Sequence, residues 1–415
     1  MALRIPRHVL SICATLRGAG YEAYVVGGGV RDALLGRDPQ DWDVATNAPP
    51  WRVQELFPQT APTGLRFGTV TVLPEEGRAV EVTTFRGESG YVDGRRPTAV
   101  QFVGSIEEDL IRRDFTINAI AYDPLRDAIV DPHDGQADLA ARRIRAVGNP
   151  DERFREDGLR LLRAVRLAVE LGFDLEPETA AAVRRHGAML EKVSRERIGQ
   201  EWRRILLAPQ AGRGLALLYE LELLSFVLPG APAGGGAKAL VARTAKALNL
   251  APECGFAAKT AIVLSGLASS DLDQRWLAAL VYSKVEARAA QHLADCLRAF
   301  NPAALRDDAS LRRFLHRLGR PSIEPFFCAA CALQPTEDIR QISRRALEIA
   351  ARGDALAIHE LAVDGHDVRR ALPGAPGPAI GQALQRLLEH VLQYPEDNSR
   401  ERLLALLAAW REQVR

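Results

Sequence analysis

Lysine is nearly missing from this 415-residue chain: only residues 192, 238, 246, 259 and 284 carry it, leaving 49 of the 54 basic residues as arginine. Codon composition explains that skew without any selection for RNA binding. Excess charge is missing too, with 54 basic against 53 acidic residues and a formal net charge of +1. Any basic surface must therefore come from segregation of charge. No apolar run approaches a membrane span, and the opening MALRIPRHVLSICATLRGAG lacks a signal-peptide cleavage pattern, so a cytoplasmic protein with no membrane contact is expected. The five cysteines (13, 254, 296, 328 and 331) are odd in number and scattered, which argues against a disulfide framework. Cys328-Ala-Ala-Cys331 has C-x-x-C spacing, but it lies in an apolar helical run with no second pair and reads as core.

What is present is ordinary in bulk and unusual in one place. Hydrophobic content of 47% and charged content of 26% suit a globular protein, and the length allows two to four domains. The unusual place is Tyr24 to Ala48, YVVGGGVRDALLGRDPQDWDVATNA. An apolar strand, Tyr24 to Val26, leads into Gly27 to Gly29 and then a short helix from Val30 to Leu35. A second strand, Trp42 to Ala45, is flanked by Asp41 and interrupted by Asp43.

A backbone without Cβ approaches a phosphate closely, and a helix start after it points N–H groups at negative charge. Arg31 on the first helical turn adds a bidentate phosphate donor. Asp41 and Asp43 sit two apart, which on a strand puts both carboxylates on one face. Oxygen ligands beside phosphate are the chemistry of Mg²⁺. Each piece alone is weak, since glycine triplets are usually turns and Asp-x-Asp is usually a solvated strand end. Together they point to a nucleoside triphosphate and a metal.

Further along, Phe67 to Leu73 and Ala79 to Phe85 alternate as strands. Glu81 breaks the second alternation and needs a partner, which is either the metal site or a structural ion pair. Arg86 to Val100, with Arg95-Arg96-Pro97, reads as a polar mobile loop. Arg112, Arg113 and Asp114 precede Phe115, Ile117, Ile120 and Ala121, so the polar cluster is expected at a helix start. Asp151 to Gly172 reads as one helix with Leu159, Leu162, Val165 and Val169 buried. On it Asp157 and Arg160 lie side by side, while Arg163 and Arg166 step away by about 60° each, and a surface salt-bridge ladder is the plain alternative. A helix capped at Ser194 follows, and from Ala211 the chain is helical, broken at Pro229 to Gly236. His366-Asp367 lacks a second histidine at ligand spacing and is discounted as a metal site.

The GG-x-x-RD and D-x-D pair, with RRDFTINA at 112 to 119, resembles the head of the class II tRNA nucleotidyltransferases and bacterial poly(A) polymerases. The likeness is strong over residues 20 to 206, loose over 300 to 410, and one of pattern only over 237 to 300. It implies an α+β nucleotidyltransferase head (a small mixed or antiparallel sheet with helices) at 1–138. An all-α neck at 139–206, body at 207–300 and tail at 301–415 would follow.

The resemblance also implies roles. Asp41 and Asp43 would hold Mg²⁺, with Glu81 as a third catalytic carboxylate. Gly28, Arg31 and Arg113 would grip the triphosphate, Arg113 and Asp114 being the family's phosphate and sugar contacts. ED-x-x-R is the nucleotide-selecting motif, so Asp157 would accept from the exocyclic amine of C or A and Arg160 would donate to the ring nitrogen. Arg163 and Arg166 would face the triphosphate or the head–neck interface. The 86–100 loop argues against enzymes that add only CC, and the tail would hold the tRNA elbow.

The expected activity is addition or repair of the 3′-terminal CCA of tRNA from CTP and ATP, with no protein partner. A poly(A) polymerase and an A-only adding enzyme share the motifs, though Leu65 to Val70 looks more like the CCA-adding form. A silent RNA-binding protein is the rival from another class, and the intact Asp41 and Asp43 speak against it.

Overall fold

The computed structural model describes residues 3–92, 96–268 and 270–413, with the backbone alone for 66, 88–92, 96–101, 270 and 411–413. The chain divides into two compact units, Met1–Gln210 with Gly214–Pro229, and Ala211–Arg213 with Gly230–Arg415.

The first unit opens with α1 (Arg7–Gly18), whose Val9, Ile12, Cys13 and Leu16 form the buried stripe. Strand β1 (Ala23–Val26) is buried at all four positions, which its Ala-Tyr-Val-Val sequence permits. It leads into α2 (Gly28–Leu34), β2 (Asp43–Thr46) and α3 (Pro50–Leu56). Next come β3 (Thr60–Gly64), β4 (Thr69–Val72) and β5 (Val80–Thr84). After β6 (Arg86–Val92), β7 (Arg96–Phe102) and α4 (Ile106–Ile111), strands β8 (Ala121–Asp123) and β9 (Ala128–Val130) complete the main sheet.

That sheet has seven strands in the order β3-β4-β5-β2-β1-β8-β9. Its pairs are antiparallel except β2 with β5, which run parallel and set Asp43 opposite Glu81 and Ala45 opposite Thr83. The expected mixed sheet with helices is thus present. Tyr24, Val26, Phe85, Ile106, Leu110 and Ala121 belong to one buried cluster beneath it.

Three local expectations are corrected. The polar stretch from Arg86 is a hairpin, β6 pairing with β7 from Arg86 opposite Phe102 to Val92 opposite Arg96; Arg95 lies outside the described residues. Residues 112 to 121 do not begin a helix: α4 ends before Arg112, Thr116–Asn118 is a single 3₁₀ turn, and Phe115, Ile117 and Ile120 are wholly buried. An apolar run buried on all sides has no helical period to obey.

The third correction lies beyond α5 (Gly135–Ala140) and β10 (Arg143–Ile144), in the segment read as one helix. It is two, α6 (Pro150–Glu156) and α7 (Leu159–Leu171). Asp157 between them is extended (φ −145°, ψ 107°), and its Oδ1 accepts from the Leu159 N–H at 3.0 Å. A Cβ on Gly158 would sit 2.7 Å from the Met189 carbonyl oxygen. The Asp-Gly pair therefore starts α7 afresh, which ends at Gly172 in the left-handed conformation (φ 72°). Strand β11 (Asp174–Leu175), α8 (Pro177–Arg185) and α9 (Arg195–Leu207) follow. Ser194 occupies the N-cap position of α9 without a side-chain bond.

Helix α10 (Ala211–Glu220) runs through the boundary, and α11 (Leu224–Val227) closes the first unit. The second unit is helical: α12 (Gly235–Asn249), α13 (Phe256–Leu267), α14 (Ser270–Ala279), α15 (Lys284–Arg298) and α16 (Asp308–Leu318) come first. Then come α17 (Ile323–Leu333), α18 (Glu337–Arg352), α19 (Gly365–Ala371), α20 (Gly377–Gln393) and α21 (Arg400–Gln413). Phe300, Phe314, Phe326 and Phe327 form an edge-on aromatic cluster in it, with Phe326 and Phe327 centroids 5.1 Å apart. Cys254 and Cys328 are joined by a disulfide, which corrects the expectation that the scattered cysteines are unbridged and the reading of Cys328 as plain core. His366-Asp367 lies in the first turn of α19, where Asp367 is paired with Arg370 and Arg400. Among the described residues no helix is long and apolar enough to cross a membrane.

Gly158→Ala should cost about 1–3 kcal/mol by overpacking against a backbone carbonyl. Urea unfolding checks this: a lower midpoint with an unchanged slope is expected, and an unchanged midpoint would mean that the Met189 segment gives way freely.

Candidate active site

Alternation along the chain decides where the acidic side chains go. Trp42 is buried at 6% exposure, so Asp41 and Asp43 on either side of it turn outward. Trp42 in turn fixes Gly29, where a Cβ would lie 2.9 Å from the indole Cε3 and 3.0 Å from the Asp41 carbonyl. The parallel register of β2 with β5 sets Glu81 beside Asp43. Glu81 is itself exposed, so burial does not oblige it to find a partner.

Asp43 carries the strain of this arrangement. Its carboxyl is pushed up to about 6, chiefly by burial, with Arg113 opposing the rise and Glu81 and Asp41 adding to it. Among the described residues no three His, Cys, Asp or Glu side chains converge tightly enough to cage a metal alone. A pair of aspartates with nucleotide phosphates and water supplying the other ligands is the usual magnesium arrangement. The residues present therefore fit a divalent cation.

The basic wall meets the acidic one at the glycine turn. Gly27 has φ 73°, and a Cβ there would lie 3.0 Å from Arg113 Nη1 and 3.6 Å from Asp43 Oδ2. Gly27 is thus the position where glycine is required, and Gly28, singled out from the sequence, opens α2 close to the Arg31 guanidinium. Arg31 donates from Nε to Asp32 (2.9 Å) and from Nη1 to the Asn118 side-chain oxygen (2.7 Å). Arg113 donates to Asp109 Oδ2 (3.2 Å), and its buried Nε has no hydrogen-bond partner among the described residues.

On the neck side most charges are already paired. Burial works to raise the Asp114 carboxyl, but the Arg163 guanidinium and Asn118 hold it well below the usual range; Arg163 Nε lies 2.6 Å from Asp114 Oδ2. Asp157 is gripped by two Arg197 nitrogens, at 2.7 and 3.3 Å. Arg160 pairs with Glu156 and donates to the carbonyls of Arg153 (2.9 Å) and Arg112 (3.1 Å). Arg166, buried at 4% exposure, sits 2.7 Å from Glu201 and 3.2 Å from Glu170. Asp157 and Arg160 thus have separate partners and are not stacked on one helix.

Sequence reasoning gave no role to Arg197, Asp109 or Glu201. Arg197 lies in the Ser194-Arg-Glu-Arg197 string that opens α9, and Asp109 heads the DLIRRD segment; only the fold shows their partners. Asp109 is buried at 1% exposure and takes both Arg112 and Arg113, together with the Arg86 backbone N–H.

The acidic and basic walls border one cleft of about 930 Å³. Asp41, Asp43, Glu81, Gly28, Arg31, Arg113, Asp157, Arg160, Arg163 and Arg166 line it together. Among the described residues ten arginines and eight carboxylates face it, with no lysine or histidine. Every cation is therefore a planar guanidinium that stays charged and can hold phosphate oxygens in pairs.

Three family models match in succession. The "Poly A polymerase head domain" covers residues 23–145, the "Probable RNA and SrmB- binding site of polymerase A" covers 172–233, and a tRNA nucleotidyltransferase domain 2 covers 260–407. The chain is 38% identical over 400 residues to the CCA-adding enzyme of Geobacillus kaustophilus, covering 96% of this chain and 95% of that one. To the CCA-adding enzyme of Lactiplantibacillus plantarum it is 34% identical over 403 residues, covering 95% and 93%. Among solved structures, the Bacillus stearothermophilus CCA-adding enzyme in complex with CTP matches with a TM-score of 0.82 at 33% identity over 98% of both chains. The Thermotoga maritima CCA-adding enzyme complexed with tRNA matches at 0.73 and 19% identity over 98% and 97%, a likeness of fold. A full-length likeness of this kind, on a head with its paired aspartates intact, places the chain in the family of CCA-adding tRNA nucleotidyltransferases.

Proposed function

We propose that this chain adds C, C and A in turn to the 3′ end of tRNA, taking CTP and ATP in the cytoplasm and using no template strand. One juxtaposition carries the reading: outward carboxylates, a phosphate-sized row of guanidinium groups and the Asp157–Arg160 pair border a single cleft. The division into head (1–138), neck (139–206), body (207–300) and tail (301–415) is kept as a division of labour, with chemistry first and tRNA grip last.

Asp41 and Asp43 would hold Mg²⁺, with Glu81 alongside in register. When bound, the metal lowers the pKa of the primer 3′-hydroxyl and neutralises the pyrophosphate leaving group. Arg113, with its unpartnered Nε, donates to a phosphate oxygen, and Arg31 lies beside it across Asn118. Gly27 and Gly28 keep the wall free of side chains where the triphosphate passes. Arg163 and Arg166 complete the nucleotide site from α7, fixing Asp114 and Glu201.

Base choice falls to the turn between α6 and α7. The Asp157 carboxylate, locked in orientation by Arg197, accepts from the exocyclic amine that C and A share. Arg160 donates to the adjacent ring nitrogen. Guanine and uracil present a carbonyl and an N–H there, setting acceptor against acceptor and donor against donor at a cost of about 1–3 kcal/mol.

The test uses a tRNA transcript lacking CCA and an unrelated RNA, with CTP and ATP supplied together and singly. Growth by three nucleotides on the tRNA alone is expected; long A tails on either RNA would establish a poly(A) polymerase instead. Asp43→Ala should abolish incorporation while leaving tRNA retention on a filter unchanged, and extension at a comparable rate would refute the metal assignment. Asp157→Ala and Arg197→Ala should each lower discrimination against GTP and UTP by roughly 10- to 100-fold. An unchanged nucleotide preference in both variants would end the templating role.

A further inference from the structure

We propose that Phe67 is the surface on which the last base of the RNA primer stacks, an inference that rests on the activity proposed above. Phe67 ends the 3₁₀ turn Leu65–Phe67 and is followed by Gly68 in the left-handed conformation (φ 79°, ψ 12°). A single exposed phenylalanine on an outer loop calls for no explanation. This one lines the cleft beside Thr69, Glu81, Thr83 and Arg86, and it is the one aromatic among the cleft's described residues. It stays 37% exposed there.

The turn that presents the ring is fixed from three sides. The Phe67 carbonyl accepts from Arg86 Nη1. The Gly68 carbonyl accepts from the Thr84 N–H at 2.9 Å. Behind it, Phe102 packs so closely that a Cβ on Gly68 would lie 2.9 Å from the Phe102 ring. An exposed apolar ring on an anchored turn is preorganised for a flat partner.

Position identifies that partner. Glu81 stands opposite Asp43, and Thr83, bonded to Thr69 at 3.0 Å, follows Glu81 on the same face about 7 Å along β5. The ring thus borders the carboxylate end of the cleft, whereas the base-reading Asp157 belongs to the neck. The incoming base must be selected, but the primer's final base is not constant: it is the tRNA's own last residue at the first step and C at the next two. A contact for that base has to be indifferent to its hydrogen-bonding edge, and an aromatic face meets this requirement because every base has a π-face.

The experiment uses the full-length enzyme with three tRNA primers, ending before CCA, after the first C and after the second. Phe67→Ala should raise KM for all three primers by roughly 5- to 150-fold, leaving KM for CTP and ATP and the choice between them unchanged. Phe67→Trp should retain the wild-type KM. Phe67→Leu, which keeps apolar bulk without a π-face, should behave like the alanine variant. A primer carrying 2-aminopurine at its 3′ end should be quenched on binding to wild type and to Phe67→Trp, and unquenched with Phe67→Ala. Wild-type KM in Phe67→Leu, or full quenching with Phe67→Ala, would overturn the proposal. Because quenching is read without nucleotides, it judges Phe67 even if the products show some other polymerase activity.

Discussion

The site depends on a carboxylate whose charge the fold leaves uncompensated. Asp43 is half-buried, and its nearest acidic neighbours add to the cost of ionising it. Elsewhere around the cleft the protein balances its buried charges: Asp114 has Arg163, Asp109 has Arg112 and Arg113, and Arg166 has Glu201. A single Arg113 cannot cancel Asp41, Asp43 and Glu81 together. The imbalance is built into the strand register, since parallel pairing of β2 with β5 sets two acidic positions side by side. In the proposed reading a divalent cation would relieve it, and the phosphates that follow would meet a wall whose cations, among the described residues, are all arginine.

The rest of the cleft divides between rigid and selective parts. Gly27 and Gly29 let backbone, Trp42 and Arg113 approach to distances that a side chain would forbid. The part proposed to select the base sits on the Asp157–Gly158 break, where a backbone carbonyl leaves no room for a Cβ and Arg197 holds the carboxylate. Selectivity by hydrogen-bonding edge needs a fixed acceptor, and fixing it is what the ion pair does. The primer side needs the opposite quality, tolerance, which the exposed Phe67 ring is proposed to supply.

Much of this was legible in the chain. The two-residue spacing of Asp41 and Asp43 predicted a shared face, and the strand at Ala79 to Phe85 was read nearly to its ends. The rest was hidden for physical reasons. Phe115 to Ala121 is buried on all sides, so its pattern could not distinguish helix from irregular backbone. The hairpin at Arg86 to Phe102 is polar and rich in glycine, so it lacks the apolar alternation that marks a strand. Asp157-Gly158 carried a cap-and-breaker signal, but strong helical periodicity on both sides masked it. Arg197 and Asp109 act through partners 40 and 3–4 residues away, and the more distant pairing becomes visible only in the folded chain. The Cys254–Cys328 bond spans 74 residues, a separation at which spacing says nothing.

Metal binding itself gives the most direct test of the unbalanced carboxylates. Manganese(II), titrated into the full-length protein with CTP and followed by the loss of its free EPR signal, should bind wild type stoichiometrically. Asp43→Asn should leave the signal of the free ion nearly undiminished beyond what CTP alone takes up. Equal uptake by the two proteins would contradict the account at its root, because the charge held in reserve at Asp43 would then have no cation to meet.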